Sequence, residues 1–257
     1  MTAVVDDPLI AGMAIRRVLP LHESSRRLQM LYPERPRVYG VAVMSDLSRR
    51  RWWPLQSAVT TNRLELMFHA AAQEMDSPAA AAQQLAATFA HAVIGRVVAL
   101  VVLEGRAWDT GLENLWMHDD SEGAIDWLGV VEPTLRVLPD DPCIGAGAVV
   151  ALPGEAALTT WIAHRCHRSL EPLFGKLHAA SGGAVSVASM WHTVGSTIVA
   201  AATQVPQLAG SSQVTAMRRG QAVLDALAGF GLPVRGRAPR VATRRGGLVK
   251  LGQACLS

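Results

Sequence analysis

One segment constrains this chain more than any other. Asp76 and Ser77 offer side-chain oxygens for a helix N-cap, and Pro78 follows at a first-turn position where its missing N–H costs nothing. An alanine-rich stretch comes next, then Val93, Ile94, Val97, Val98, Leu100 and Val101, which leave almost no polar face. A helix predicted from Pro78 to about Leu103 and stopped by Gly105 is therefore buried on most sides, and the rest of the fold has to enclose it. Its longest apolar run, Ala92 to Leu103, is about twelve residues broken by Arg96. That is well short of the ~20 residues of a membrane-spanning helix, so no membrane span is expected.

Around this helix the pattern changes along the chain. The first fifty residues mix short apolar stretches with Pro20, Pro33 and Pro36, and VYGVAVMSDL from Val38 reads as a strand. Residues 61 to 75 are helical in pattern. After Gly105, Leu115, Trp116 and Met117 are followed by the turn-rich DDSEG and then by Ile125, Trp127, Leu128, Val130 and Val131, the signature of a β-hairpin. Pro133, Pro139 and Pro142 close it. Beyond Pro153 the chain reads as helical to about Phe230, with breaks at Pro172, at Ser181 to Gly183, and at Pro206 to Ser212. The last stretch, from Pro233 to Lys250, is loop-like and basic. The expected fold is α+β: a mixed part over 1–60, then a unit over 61–257 with a central hairpin and a mostly helical C-terminal half, packed together.

Half of the 257 residues are hydrophobic and 18% are charged, which excludes an intrinsically disordered chain. A net charge of +3 does not point to nucleic acid. Cys143, Cys166 and Cys255 have neither a disulfide framework nor the spacing of a structural zinc site, and Asp6 and Asp7 stand where a secretion signal carries positive charge. Reduced thiols and a cytoplasmic location are the expectation.

No GxGxxG, P-loop, HExxH or GxSxG motif occurs. Leu158, Ile162, Cys166, Ser169 and Leu173 share one helical stripe, making Cys166 a core thiol. His164 and His167 stand three apart, a spacing that can share a metal, but no third ligand is visible and solvated histidines are the simpler account. On the next helix Val187, Trp191, Val194, Ile198 and Ala202 form the buried stripe, with His192 just beyond its edge. A histidine beside a tryptophan can line a pocket and act as acid or base; it can also simply bond to a loop. His192 is the first catalytic candidate and Glu113 the second, with Asn114, Trp116, Met190 and Trp191 as ligand contacts. Asp109, Asp119, Asp120, Glu122 and Asp126 cluster on and before the hairpin, those in the turn reading as turn formers. Seven tryptophans could wall a cavity, although core packing accounts for most of them equally well. Arg244 and Arg245 could fork around an anionic ligand or form a solvated charge run.

Three stretches carry a family resemblance: VVALVVLEGRAWDTGLENLWMHDDSEGAIDWLGVVEPTLRVLPDDP from Val97, LEPLFGKLHAASGGAVSVASMWHTVGSTIV from Leu170, and the tail from Arg244. In order and spacing they resemble the FhuF-like ferric-siderophore reductases. The resemblance implies a cytoplasmic protein that accepts a ferric siderophore and reduces the iron through a [2Fe-2S] cluster, held by a tail of the form RRxCC, then CxxC. Here Gly246 and Gly247 follow Arg244 and Arg245, and only Cys255 remains. A [2Fe-2S] cluster needs four ligands. The expectation is therefore a cluster-less FhuF-like protein with no cofactor and no metal site, binding a small molecule and open to repurposing as a metal-independent catalyst of a cyclisation or rearrangement in secondary metabolism. The alternative is the reductase itself, its [2Fe-2S] cluster completed by residues beyond Ser257 or by another chain; a scaffold without a small ligand is a third reading. The sequence leaves the oligomeric state open.

Overall fold

A computed structural model of the chain describes residues 18–121 and 123–235. In chain order its elements are α1 (Pro20–Gln29), β1 (Val41–Val43), a 3-10 turn (Met44–Asp46), β2 (Trp52–Pro54), α2 (Gln56–Thr60), α3 (Arg63–Glu74) and α4 (Pro78–Ala90). A π-turn (His91–Gly95) then leads into α5 (Arg96–Glu104), followed by β3 (Leu115–Asp119), β4 (Ile125–Val130), β5 (Leu135–Val137) and β6 (Val149–Ala151). Three long helices complete the described chain: α6 (Glu155–Ala180), α7 (Val187–Ala209) and α8 (Gln213–Gly229). The fold is α+β, with a hairpin at the middle of the chain and a helical C-terminal half.

The helix signalled at Pro78 forms and is enclosed. Ser77 Oγ accepts from the Ala80 N–H at 3.1 Å, and Gly105 ends α5 at φ 68, a left-handed C-cap that glycine adopts without a Cβ penalty. Helices α7 and α8 pack against this axis, with α6 beside them. The continuous helical stretch Pro78–Glu104 is 27 residues with a mean hydropathy of 2.0, long and apolar enough to cross a bilayer by length and composition alone. Its apolar window is 83% buried inside the fold, the mark of a core helix.

The hairpin is the centre of a four-stranded sheet of order β1-β4-β3-β2. β3 and β4 run antiparallel, with Met117 opposite Leu128; β2 lies antiparallel on β3, and β1 lies parallel to β4, with Val41 opposite Leu128. Alternation sorts the two faces. Val41, Val43, Trp53, Leu115, Met117, Leu128 and Val130 enter the main core, whereas Ala42, Met44, Trp52 and Trp127 form a small separate cluster on the other face, with Trp116 against it. The main core is continuous from Leu21 on α1 to Val234 beyond α8.

Three local expectations are corrected. The strand read from Val38 is confined to Val41–Val43, because the chain before it turns: Val38 N–H donates to the Arg35 carbonyl and Gly40 N–H to that of Pro36. Pro172 and Pro206 both lie inside helices: the break expected at Pro172 does not occur, whereas the one expected at Pro206 to Ser212 does, at residues 210–212 between α7 and α8. Each proline deletes one backbone donor, while Ser169, Leu170, Leu173 and Phe174 around the first, and Ala202 and Val205 beside the second, stay buried. The proline-rich stretch after the hairpin holds a second, parallel sheet, β5 with β6, which no alternation announced.

Candidate functional site

The π-turn interrupts the buried helix at its most polar point. Five residues here close an i+5 bond, Arg96 N–H donating to the His91 carbonyl, and such turns recur at functional sites. They set His91 and Arg96 under the loop formed by residues 32–40. The Nε2–H of His91 donates to the Val38 carbonyl at 2.7 Å. Because a carbonyl can only accept, that bond fixes the proton on Nε2 and leaves the lone pair on Nδ1. Nδ1 lies against Gly95 and Thr197, so closely that a Cβ on Gly95 would sit 2.9 Å from Nδ1 and 2.9 Å from Thr197 Cγ2. Burial, assisted by the positive charge of Arg96 and opposed by the Val38 bond, pushes His91 down to about 4. The imidazole is neutral at pH 7.

Arg96 is 3% exposed. Its guanidinium donates to the Gly40 carbonyl and to the Asp126 carbonyl, each at 2.8 Å, tying α5 to the ends of the parallel pair β1 and β4. Nε has no partner. Burial lowers Arg96 to about 10 while the Asp126 charge holds it up, so it stays a cation. The Asp126 carboxylate in turn accepts from His118 Nδ1–H at 2.7 Å on one oxygen and pairs with Arg37 through the other. His118 is buried, its ring 5.2 Å from that of Trp52.

Among the described residues, three cavities border His91. One of about 720 Å³ lies between residues 34–38, Arg96 and the start of β4 at Ile125 and Asp126. A second, of about 490 Å³, lies on the other side of the same loop, against Tyr39 and the α7 residues Thr197, Ala201 and Gln204. A third, of about 280 Å³, follows α4 past Gln84 and Thr88. Concave space with an apolar floor and a few convergent polar groups is what small-molecule recognition requires.

The residues singled out from the sequence do not converge. Met190 and Trp191 are buried in α7, where Trp191 Nε1–H donates to Glu171 at 3.0 Å and the ring meets Phe174 edge-on at 5.3 Å; His192 points outward and is exposed. Glu113 is exposed and paired with Arg165, whose hydrogen bond holds its carboxyl below the usual range. Asn114 is spent on the backbone: Nδ2 donates to the carbonyls of Asp109 and Glu132, and Oδ1 accepts from the N–H groups of Val131 and Glu132. Trp116 packs on the far face of the sheet under Arg49. Arg244, Arg245, Glu122 and Cys255 lie outside the described residues. Asp119, read as a turn former, accepts from Trp53 Nε1–H and from Arg63, both at 2.8 Å.

The described thiols do not fit an iron–sulfur cluster. Cys166 is fully buried, shares a hydrogen bond with Thr110 at 3.3 Å, and is pushed up to about 12 by burial; Cys143 stands on the loop after β5. Among the described residues no three His, Cys, Asp or Glu side chains gather as a set able to hold a metal ion.

The His91 cleft was missed because a histidine inside an apolar helix reads as packing. The available signal was Arg96: a cation in an otherwise apolar run must find acceptors, and a polar neighbourhood comes with them. Comparison of the chain with protein-family models, with curated proteins and with solved structures finds no match.

Proposed function

We propose that this protein binds a small organic molecule in the cleft around His91, as a cluster-less member of the FhuF-like group. The observation that carries the reading is the convergence of these cavities on one imidazole whose proton is fixed on Nε2 and whose Nδ1 has no hydrogen-bond partner among the described residues. A ligand hydroxyl or amide N–H is the complement of such an acceptor.

Magnitudes favour binding over proton transfer. A general base works best with a pKa near the operating pH, and an imidazole lowered to about 4 holds an abstracted proton poorly. Asp126 is already committed to His118 and Arg37. If the bound molecule cyclises or rearranges here, the protein's contribution is placement of the reacting groups. The reductase alternative finds no support in the described thiols. Free Cys143 and Cys166 suit a reducing, cytoplasmic setting.

The test is a fragment screen by saturation-transfer NMR on the wild type and on His91→Phe, which keeps a ring and removes both nitrogens. Hits bearing hydroxyl or amide donors are expected on the wild type and are lost in the variant. A screen without hits, or one with the same hits on both proteins, overturns the proposal.

A further inference from the structure

The two larger cavities share Arg35, Val38 and His91 but differ in charge. Glu34, Arg37, Arg96, Asp120 and Asp126 all border the larger one. In the cavity of about 490 Å³ against α7, Arg35 is, among the described residues, the only lining side chain that carries a charge at neutral pH. His91 is neutral there, and burial raises the Tyr39 phenol further from ionisation. The Arg35 side chain has no ion-pair partner among the described residues. The floor is made of small groups, Ala87, Gly95, Ala200 and Ala201, and Tyr32 and Tyr39 stack beside it with ring centroids 6.2 Å apart and planes 20° apart. Small residues under an aromatic wall leave a flat, apolar space. Thr197, Gln204 and His91 Nδ1 supply hydrogen-bonding groups at one side.

We infer that this lobe takes a flat, aromatic or conjugated carboxylate, its ring on the small-residue floor beside Tyr39 and its carboxylate on Arg35. The guanidinium fork matches two carboxylate oxygens, and among the described residues no acidic side chain lines the lobe to compete for it. Selectivity for acids over their amides follows from Arg35, and selectivity for flat bodies from the floor. This rests on the cleft being a ligand site, and it adds the class of ligand and the residue that chooses it.

Phenylacetate and its neutral amide, phenylacetamide, separate recognition of the carboxylate from binding of the ring. Each is titrated into the isotope-labelled protein, reading the Tyr39, His91 and Thr197 signals, for the wild type and for Arg35→Gln. The acid is expected to bind about fivefold more tightly than the amide, the size of a well-formed but solvent-facing charge-assisted pair. In Arg35→Gln the ratio falls to about one, mainly by weakening of the acid, and added salt does the same to the wild type. Equal affinities of acid and amide, or an unchanged ratio in Arg35→Gln, overturn the assignment, as does a failure of both probes to move the Tyr39 and Thr197 signals. Any of these results, alongside fragments still lost in His91→Phe, removes the carboxylate assignment and leaves the cleft as a ligand site. Absence of any fragment dependent on His91 removes both.

Discussion

Acid should destabilise this protein through His91 by an amount that can be isolated. Its pKa in the folded protein is about 4 against an ordinary value of 6.5, burial being the first cause and Arg96 the second. Between those values the unfolded chain binds a proton that the folded chain refuses. Stability from this group is therefore fully present above pH 6.5, drains away as pH falls toward 4, and levels off below. At ~1.4 kcal/mol for each tenfold difference in proton affinity the whole loss is about 3 kcal/mol. Carboxylates such as Glu113, held low by Arg165, also lose stability in acid, so a single curve cannot assign the effect. His91→Gln separates them: glutamine keeps an N–H donor for the Val38 carbonyl, and all other titrating groups are common to both proteins. Urea unfolding at constant ionic strength from pH 7 to pH 4 should show the wild type losing about 3 kcal/mol more than the variant. Parallel curves would refute the reasoning, because they would mean that His91 takes up its proton in the folded state without penalty.

Gly95→Ala should gain up to ~1 kcal/mol of helix propensity yet displace the His91 ring, since the new methyl arrives 2.9 Å from Nδ1; a largely unchanged Tm with loss of fragment binding is expected, and intact binding contradicts it. Arg96→Met removes both donors and leaves the Gly40 and Asp126 carbonyls unpaired in the interior. With ~1–3 kcal/mol for each orphaned group, partly offset by the loss of a buried charge, urea unfolding should show a net cost of ~2–4 kcal/mol; stability equal to the wild type would mean that the staple contributes nothing. In Gly195→Ala the added Cβ would overlap the Val234 carbonyl oxygen, so the chain after α8 must leave α7. Hydrogen exchange at the Val234 amide, which now donates to Leu232, should accelerate while exchange in α5 stays slow.

How much was legible depended on whether local chemistry or long-range pairing decided the outcome. The Ser77 cap, the Gly105 stop, the β3–β4 hairpin and the Cys166 stripe rest on rules that act within a few residues, and the structure has all four. The parallel pairing of β1 with β4 and the β5–β6 sheet join segments that are not adjacent in sequence, where no turn signal exists to read. The site was obscured for a related reason. Met190, Trp191 and His192 are neighbours in sequence, but a helix turns two of them inward and the third out. His91, Val38 and Asp126 are far apart in sequence and meet only when the loop before β1 folds over the π-turn. Asp126 stood among the noted carboxylates and Arg96 was the one break in the apolar run, so both were visible; what linked them was not.

Protonation of the His91 ring decides whether the cleft offers an acceptor, and a long-range proton–nitrogen spectrum of the imidazoles at pH 7 reads it directly. His91, assigned by its absence in His91→Gln, is expected as the neutral tautomer with the proton on Nε2, and its Nδ1 signal should shift when a donor-bearing fragment is added. A doubly protonated ring at pH 7, or a proton on Nδ1, would leave the cleft without its acceptor and contradict the ligand site.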